Sequence, residues 1–531
     1  MVCYPERAAE QGPGGRMPEA LNILDDLDID LPFEETTTAD ASASSGGQGL
    51  QGTADGAFFG PYQLIEEVGK GGVASVHRAR HIHPQYADRA LAVKVLHDSL
   101  SRDPMVVSLF RREAYVLSLL KHPGVVQTFE AGETDGRLFI AMEYIDGRDL
   151  DAFLFRCQHA KIAVPLPILT HIAGEVLRAL IYAHGLRDND DRRLNLVHRD
   201  INPANVFLSY NGQVKLGDFG VASITAGRLE KSRELAGKIG YFAPEQIEGG
   251  IVDHRADLFA LGAMLFEMVC GTRLFDAEDA DQAMRLNRKA KIPRPSKLNP
   301  NLPADLERII LKALERRPQD RFASGAEMLA ALEPFLPPPQ SMRMATASLM
   351  RTLFLREHMQ ETQLRDSMAG RRRPAMRGQL VDIFTTDPAA QRAFADLLTL
   401  NNYRVRSHDN LISLTTVIVA ELPYAILVDV DQADFNAGDF NAAIQRTGRV
   451  IPIIASCAAL DSTAIERAMG VHAGDLLSKP LYTDRVLSSI CGAATFERPK
   501  PFLRVGDKIG RLRTRVLLVG QDAALRERDF V

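Results

Sequence analysis

Between residues 59 and 336 apolar runs, helix-spaced stretches and turn residues follow one another closely, and Pro337-Pro338-Pro339 closes the pattern. Within it, Leu91-Ala92-Val93-Lys94-Val95 reads as a buried strand interrupted by one ammonium. Phe110-Arg111-Arg112-Glu113-Ala114-Tyr115-Val116-Leu117 has helical spacing, and 258–270 reads as a buried helix broken only by Glu267. From 379 to about 496 the rhythm changes, and strand-like apolar runs alternate with amphipathic helical stretches. That alternation predicts a parallel βα sheet.

A weak internal repeat links Val381-Asp382-Ile383-Phe384 with Val516-Leu517-Leu518-Val519, each a strand leading through a turn into a helix start. The second copy stops at Val531, too short to fold alone. It is either a leftover tail or the truncated start of a second unit in a longer natural chain. The expected division is therefore a tail (1–57), a large folded unit (58–336), a linker (337–378), a smaller folded unit (379–496) and a remnant (497–531).

Charge sharpens this division. Residues 1–57 hold 11 acids against 2 bases and are rich in Gly, Ser, Thr and Ala, which predicts a disordered acidic tail. Its acidic and apolar alternation at 21–31 is either a short docking motif or a plain solvated tail. Residues 337–378 hold 8 arginines against 3 acids and read as a basic linker, with 345–363 compatible with a helix. Across all 531 residues the net charge is -5, which argues against nucleic-acid binding by bulk charge. Five scattered cysteines without a CxxC fit a reduced, cytoplasmic setting. No signal core is visible and no apolar run reaches the ~18–20 residues of a membrane span, so none is expected.

The chemistry lies in ordered motifs. Gly69-Lys70-Gly71-Gly72 in a strand–turn–strand lets backbone amides approach phosphate, although such turns are common. Lys94 follows Gly69 by 25 residues, and Glu113 follows Lys94 by 19 on a helical pattern that could aim a carboxylate at it. A lone strand lysine is otherwise a solvated edge residue. Then come Val197-His198-Arg199-Asp200-Ile201-Asn202-Pro203-Ala204-Asn205, Asp218-Phe219-Gly220 and Ala243-Pro244-Glu245. Any one of these arises by chance, but the ordered set does not.

Over about 275 residues this set resembles the protein kinase family, specifically the eukaryotic-like Ser/Thr kinases of bacteria. The resemblance implies an α+β bilobal kinase fold, with ATP and Mg²⁺ as cofactors and protein substrates as partners. It further implies that Lys94, paired with Glu113, holds phosphate and that Asp200 receives the substrate hydroxyl's proton. Asn205 and Asp218 would hold Mg²⁺. Gly69, Gly71, Gly72, Val76, Ala92 and the hinge at Glu143 and Ile145 would enclose the nucleotide, while Glu245 and Arg321 would form a structural ion pair.

Two positions depart from the family pattern. Asn202 stands two residues after Asp200, where the family usually has Lys. Lys238 stands seven residues before Glu245, where it usually has Thr. One reading is that the ammonium has crossed the cleft to Lys238. The plain alternative is a solvent-facing Lys238 in a crippled site. Ala204 removes the acid that some basic-directed kinases carry, and Arg199 suggests control by a phosphorylated loop, with Thr225 and Ser232 as candidates.

The smaller unit places Asp429 at the end of an apolar strand and Lys479 before Pro480. It resembles the receiver domain of response regulators, an α/β flavodoxin-like fold in which such an Asp accepts phosphate and such a Lys senses it. The family's acidic pair is here Thr385-Thr386, and its Ser/Thr switch position falls on Cys457. With too few hard ligands for Mg²⁺, a pseudo-receiver used for a two-component or other signalling partner is expected. The leading reading is an active Ser/Thr protein kinase with this regulatory unit. The alternative is a nucleotide-binding pseudokinase scaffold.

Overall fold

The computed structural model describes residues 57–493 apart from 84–85, 87–88, 188–190, 220–236, 276, 278, 290–291, 369–377, 433 and 461. The expected acidic tail, the candidates Thr225 and Ser232, and the remnant after 496 lie outside the described residues.

The first lobe is an antiparallel sheet of β1 (Ala57–Phe59), β2 (Tyr62–Lys70), β3 (Ala74–His81), β4 (Leu91–Leu96), β5 (Thr128–Thr134) and β6 (Arg137–Glu143), in the order β1-β2-β3-β4-β6-β5. Strand β4 is buried on both faces except at Lys94, which explains its nearly unbroken apolar run. Helix α1 (Pro104–Leu119) packs on β5 and β6 of the same sheet. Asp103 caps it by accepting from the Met105 and Val106 amides, and Pro104 opens its first turn. Its buried stripe, Val106, Phe110, Glu113, Ala114 and Leu117, follows helical spacing, so the apolar face carries Glu113 inward.

The second lobe is mostly helical: α2 (Leu150–Ala160), α3 (Leu166–His184), α4 (Pro244–Glu248), α5 (Arg255–Cys270), α6 (Ala280–Lys289), α7 (Ala304–Ala313) and α8 (Gly325–Leu332). A small sheet of β7 (Gly147–Asp149), β8 (Val206–Ser209) and β9 (Val214–Leu216) completes it. Gly147 is required there, because a Cβ would stand 2.0 Å from the Leu208 carbonyl. Helix α3 spans 19 residues and is apolar enough by length and composition to cross a membrane, which corrects the expectation that no run reaches that length. Inside the lobe 67% of its apolar window is buried, as for a central core helix.

The segment expected as a basic linker is helical as far as Met368, in α9 (Pro339–Leu353), which is packed, and α10 (Leu355–Met368). Met342, Ala345, Leu349, Met350 and Leu353 recur at helical spacing and are buried. The arginines that suggested a solvated linker hold the turn after β8, with Arg351 Nε donating to the Tyr210 carbonyl at 2.9 Å and Arg343 Nε to that of Asn211 at 3.2 Å. Gly212 in that turn has φ +74°, and a Cβ there would stand 1.8 Å from the Arg343 carbonyl. Only glycine lets α9 approach so closely.

The C-terminal layer is a parallel sheet of β10 (Leu380–Phe384), β11 (Arg404–His408), β12 (Ala425–Asp429), β13 (Ile453–Cys457) and β14 (Asp475–Ser478), ordered β11-β10-β12-β13-β14. Helices α11 (Pro388–Leu400), α12 (Leu411–Ala420), α13 (Ala437–Arg446), α14 (Ser462–Gly470) and α15 (Thr483–Ala493) connect the strands and follow the last of them. Helix α9 joins this layer to the second lobe: its Ala345, Leu349 and Met350 share one apolar core with Leu258 and Leu476. Ser348 Oγ donates to the Leu476 carbonyl. Asp475, buried beside them, binds Arg485 at 2.7 Å and Arg351 at 3.3 Å. Burial pushes the Asp475 carboxyl up, but the two guanidiniums outweigh it and hold it far below the usual carboxylate range.

Candidate active site

A cavity of about 380 Å³ lies between the two lobes, within the range of small-molecule sites. Val76, Ala92 and Met142 form apolar walls, Glu143 and Ile145 bring the interlobe strand to its edge, and Asp218 stands at its inner end. The expected enclosing residues Val76, Ala92, Glu143 and Ile145 are thus together. Gly69 pairs with Val76, one step before the ladder ends at Lys70 and Ser75, and the Gly71 amide donates to the Ala74 carbonyl at 3.0 Å. Gly69 thus lies at the end of β2 and Gly71 and Gly72 in the β2–β3 turn, and none of the three is part of the cavity wall.

Lys94 on β4 reaches Glu113 on α1 at 2.6 Å and Asp218 at 3.7 Å. Burial works against the ammonium, but the two carboxylates outweigh it and raise the Lys94 pKa above its ordinary value. Lys94 is therefore a fixed positive charge at neutral pH.

The loop before β8 is fastened from below by α5. The Asp257 carboxylate accepts from the His198 amide at 2.9 Å, the Arg199 amide at 2.8 Å and His184 Nε2 at 2.8 Å. Burial pushes Asp257 up, and these donors and the neighbouring imidazoles bring it below its usual value. Burial lowers the His198 pKa, so its ring is neutral, and its Nε2 lies 3.0 Å from the Gly217 carbonyl. Arg199 and Asp218 hold positive φ, 66° and 47°. Such backbone is costly for residues with a Cβ and persists where its surroundings impose it.

Held this way, Asp200 is buried and its carboxylate meets three donors. Asn202 Nδ2 lies 2.9 Å from Oδ1, while Asn205 Nδ2 and Lys238 Nζ lie 3.1 and 3.2 Å from Oδ2. Asn202 also accepts from the Ala204 amide at 3.0 Å, capping the turn that carries Asn205. The sequence reading noted Asn202 only as a missing lysine; its double use as cap and clamp depends on the turn's geometry. Lys238 approaches from beyond the undescribed 220–236 segment. Asp218 and Asn205 present a carboxylate and an amide, hard oxygen donors of the type Mg²⁺ takes beside phosphate oxygens and water.

Behind the site Arg321 and Glu245 form a bidentate buried pair at 2.7 and 2.8 Å. The structure also adds a residue that sequence reading did not single out: Glu361 of α10 lines the cavity.

Asp429 ends β12 in the C-terminal layer, buried, with Lys479 Nζ at 2.9 Å and Thr385 Oγ1 at 3.4 Å. Asp387, the nearest acid to the Thr385-Thr386 pair, accepts from the Ala389 amide at 2.8 Å as the cap of α11. Among the described residues no group of three His, Cys, Asp or Glu side chains is placed to hold a metal ion.

Comparison with known proteins bears on the part of the chain that holds the first of these two sites. Myxococcus xanthus "Tyrosine-protein kinase MasK" is 37% identical over 52% of this chain and 43% of its own. Bacillus subtilis "Serine/threonine-protein kinase PrkC" is 32% identical over 52% of this chain and 40% of its own. Mycobacterium tuberculosis "Serine/threonine-protein kinase PknH" is 32% identical over 54% of this chain and 44% of its own. The chain thus spans less than half the length of these relatives. The solved kinase domain of Mycobacterium tuberculosis PknI is 30% identical, covering 54% of this chain and 100% of its own with a TM-score of 0.41. The family description "Protein kinase domain" matches residues 62–333, just over half the sequence, and the chain belongs to that family.

Proposed function

We propose that the chain is an active bacterial-type Ser/Thr protein kinase that moves the γ-phosphoryl group of ATP to protein hydroxyls. The observation that carries this reading is the Asp200 carboxylate, oriented by Asn202, Asn205 and Lys238 in the cleft where Lys94 meets Glu113 and Asp218. Phosphoryl transfer needs positioning and charge neutralisation more than covalent help. Val76, Ala92 and the strand end at Glu143–Ile145 seat the base, and Lys94 holds the nucleotide's phosphates. Asp218 and Asn205 hold Mg²⁺, which when bound neutralises phosphate charge. Asp200 orients the substrate hydroxyl and accepts its proton as the oxygen bonds to the γ-phosphorus and the bond from that phosphorus to the bridging oxygen breaks, releasing ADP. Lys238 supplies the cation that the family usually carries at position 202. These features favour the enzyme over a nucleotide-binding scaffold.

The test is phosphate incorporation from labelled ATP with Mg²⁺ by wild type, Lys94→Met and Asp218→Asn, followed by phosphosite mapping. Both variants should lose at least ~10²-fold, the scale of removing one preorganised charge. Wild-type incorporation that persists in both would defeat the assignment. Because one relative is named a tyrosine kinase, the mapped residue type also decides acceptor class; the reading expects Ser or Thr, with Thr225 and Ser232 the candidates within the chain.

We infer that 58–336 is the catalytic unit and 379–496 a receiver-like unit used for protein contacts. The 2-1-3-4-5 strand order and the Asp429–Lys479 pair support the likeness. Thr385 beside Asp429, and Asp387 spent on a helix cap, leave a poor Mg²⁺ site. Incubation with acetyl phosphate and Mg²⁺ should therefore leave Asp429 unlabelled by intact-mass analysis. A stoichiometric +80 Da adduct absent from Asp429→Asn would refute the pseudo-receiver reading.

A further inference from the structure

We propose that Glu361 is a positioning residue for the nucleotide cavity, delivered by α10 from beyond the kinase-family match that ends at 333. The inference rests on the reading of that cavity as the ATP site.

Glu361 is 8% exposed and lines the cavity together with Tyr144, Arg148 and Asp149. Its carboxylate joins three parts of the fold. One oxygen pairs with Arg78 on β3, two residues past the cavity-wall Val76. The other accepts from the Tyr144 hydroxyl at 2.9 Å, on the interlobe connection, and lies 3.7 Å from Arg148 on β7. Arg78 is itself 2% exposed, and its guanidinium sits 4.6 Å from the Tyr144 ring centre. Tyr144 is thus held through its ring and through its hydroxyl. Without Glu361, the remaining carboxylate near Arg78 is the half-exposed Glu66 at 3.3 Å.

Helix α10 is itself anchored on the second lobe. Arg156 binds Glu357 at 2.5 Å, and the His358 ring lies 4.5 Å from that of Tyr210. Its neighbour α9 continues to Asp475 through Arg351. The strap therefore connects the C-terminal layer to the cavity edge, and Glu361 is where it touches that edge. Because Glu361 contacts neither Asp200 nor Lys238, its removal should loosen the nucleotide's seat and leave the transfer step largely intact.

The test uses the full chain with Glu361→Ala, Glu361→Gln and Tyr144→Phe. Affinity for Mg²⁺ and a non-hydrolysable ATP analogue is measured by calorimetry, and KM for ATP and kcat by phosphate incorporation. Glu361→Ala should weaken nucleotide affinity and raise KM by ~10-fold while kcat changes less than ~3-fold. Glu361→Gln, which keeps the Tyr144 acceptor, should fall between it and wild type. Tyr144→Phe should add little when combined with Glu361→Ala, since both remove the same contact. If Glu361→Ala does not fold, Glu361→Gln and Tyr144→Phe carry the measurement. Folded variants with wild-type affinity, or a loss in kcat at unchanged KM, would overturn the inference alone. A wild type that binds no nucleotide would overturn the kinase reading and the inference with it.

Discussion

Replacing Lys238 by Ala should lower kcat for phosphoryl transfer by about 10²-fold or more while leaving nucleotide affinity within a few-fold. Its Nζ is 3.2 Å from Asp200 Oδ2 and Lys238 is not among the cavity's lining residues, so the expected effect falls on transfer rather than nucleotide seating. Asn202, in the position where the family usually places the ammonium, is occupied with Asp200 Oδ1 and the Ala204 amide. The cleft therefore has a cation at Oδ2 of Asp200 while Asn202 holds Oδ1. A reverse exchange makes the test specific. Asn202→Lys with Lys238→Thr restores the usual arrangement and should recover activity to within ~10-fold of wild type, although losing the Asn202 cap costs about 1 kcal/mol of local stability. Steady-state kinetics of the three variants decides. Near-normal turnover in Lys238→Ala would mean that Lys238 is a bystander.

The largest stability effect is expected at Arg321. Its side chain is fully buried, grips Glu245 through two bonds, and donates to the carbonyls of Glu315, Arg255 and Arg316 at 2.7–3.0 Å. The guanidinium also lies 4.9 Å from the Phe259 ring centre. Arg321→Met would leave the Glu245 carboxylate buried without a counter-charge and several carbonyls without donors. Breaking one side of such a pair costs about 3–5 kcal/mol, a large fraction of the ~5–15 kcal/mol that holds a domain folded. At ~2–4 °C per kcal/mol, the melting temperature should drop on the order of 10 °C. Replacing both partners by apolar residues should cost less than the single change, because no orphaned charge remains. A drop below ~2 °C in Arg321→Met would show that the pair is not a keystone of this lobe.

What could be read from the sequence depended on how far a feature reached along the chain. Lys94, Glu113, Asp200, Asn205 and Asp218 were legible because their order and spacing together are too specific for chance, and the structure gathers them in one cleft. Even the approach of Lys238 to Asp200 followed from pairing two departures from a known pattern. The parallel C-terminal sheet was legible from alternating strand and helix periods, since its strands β10, β12 and β13 are buried on both faces. The stretch 337–368 reads as a basic linker with 345–363 compatible with a helix; the helices are there, and what net charge conceals is that the first of them is packed. Its apolar positions 342, 345, 349, 350 and 353 already carried the period of a packed helix, and its Arg343 and Arg351 are spent on the carbonyls of Asn211 and Tyr210 and on the Asp475 carboxylate. Glu361 could not be found this way, because its partner Arg78 lies 283 residues away and nothing local marks the contact. The roles of Asn202 and Asp387 as caps likewise depend on turn geometry that residue type alone leaves open.

The measurement that bears most directly on the whole account is phospho-amino-acid analysis of the full chain after incubation with γ-labelled ATP and Mg²⁺, alone and with a generic protein substrate, beside Lys94→Met. The account predicts label on Ser or Thr in the wild type and none above background in the variant. A wild type that binds nucleotide but transfers no phosphate would contradict it, and would make this cleft a binding site rather than a catalytic one.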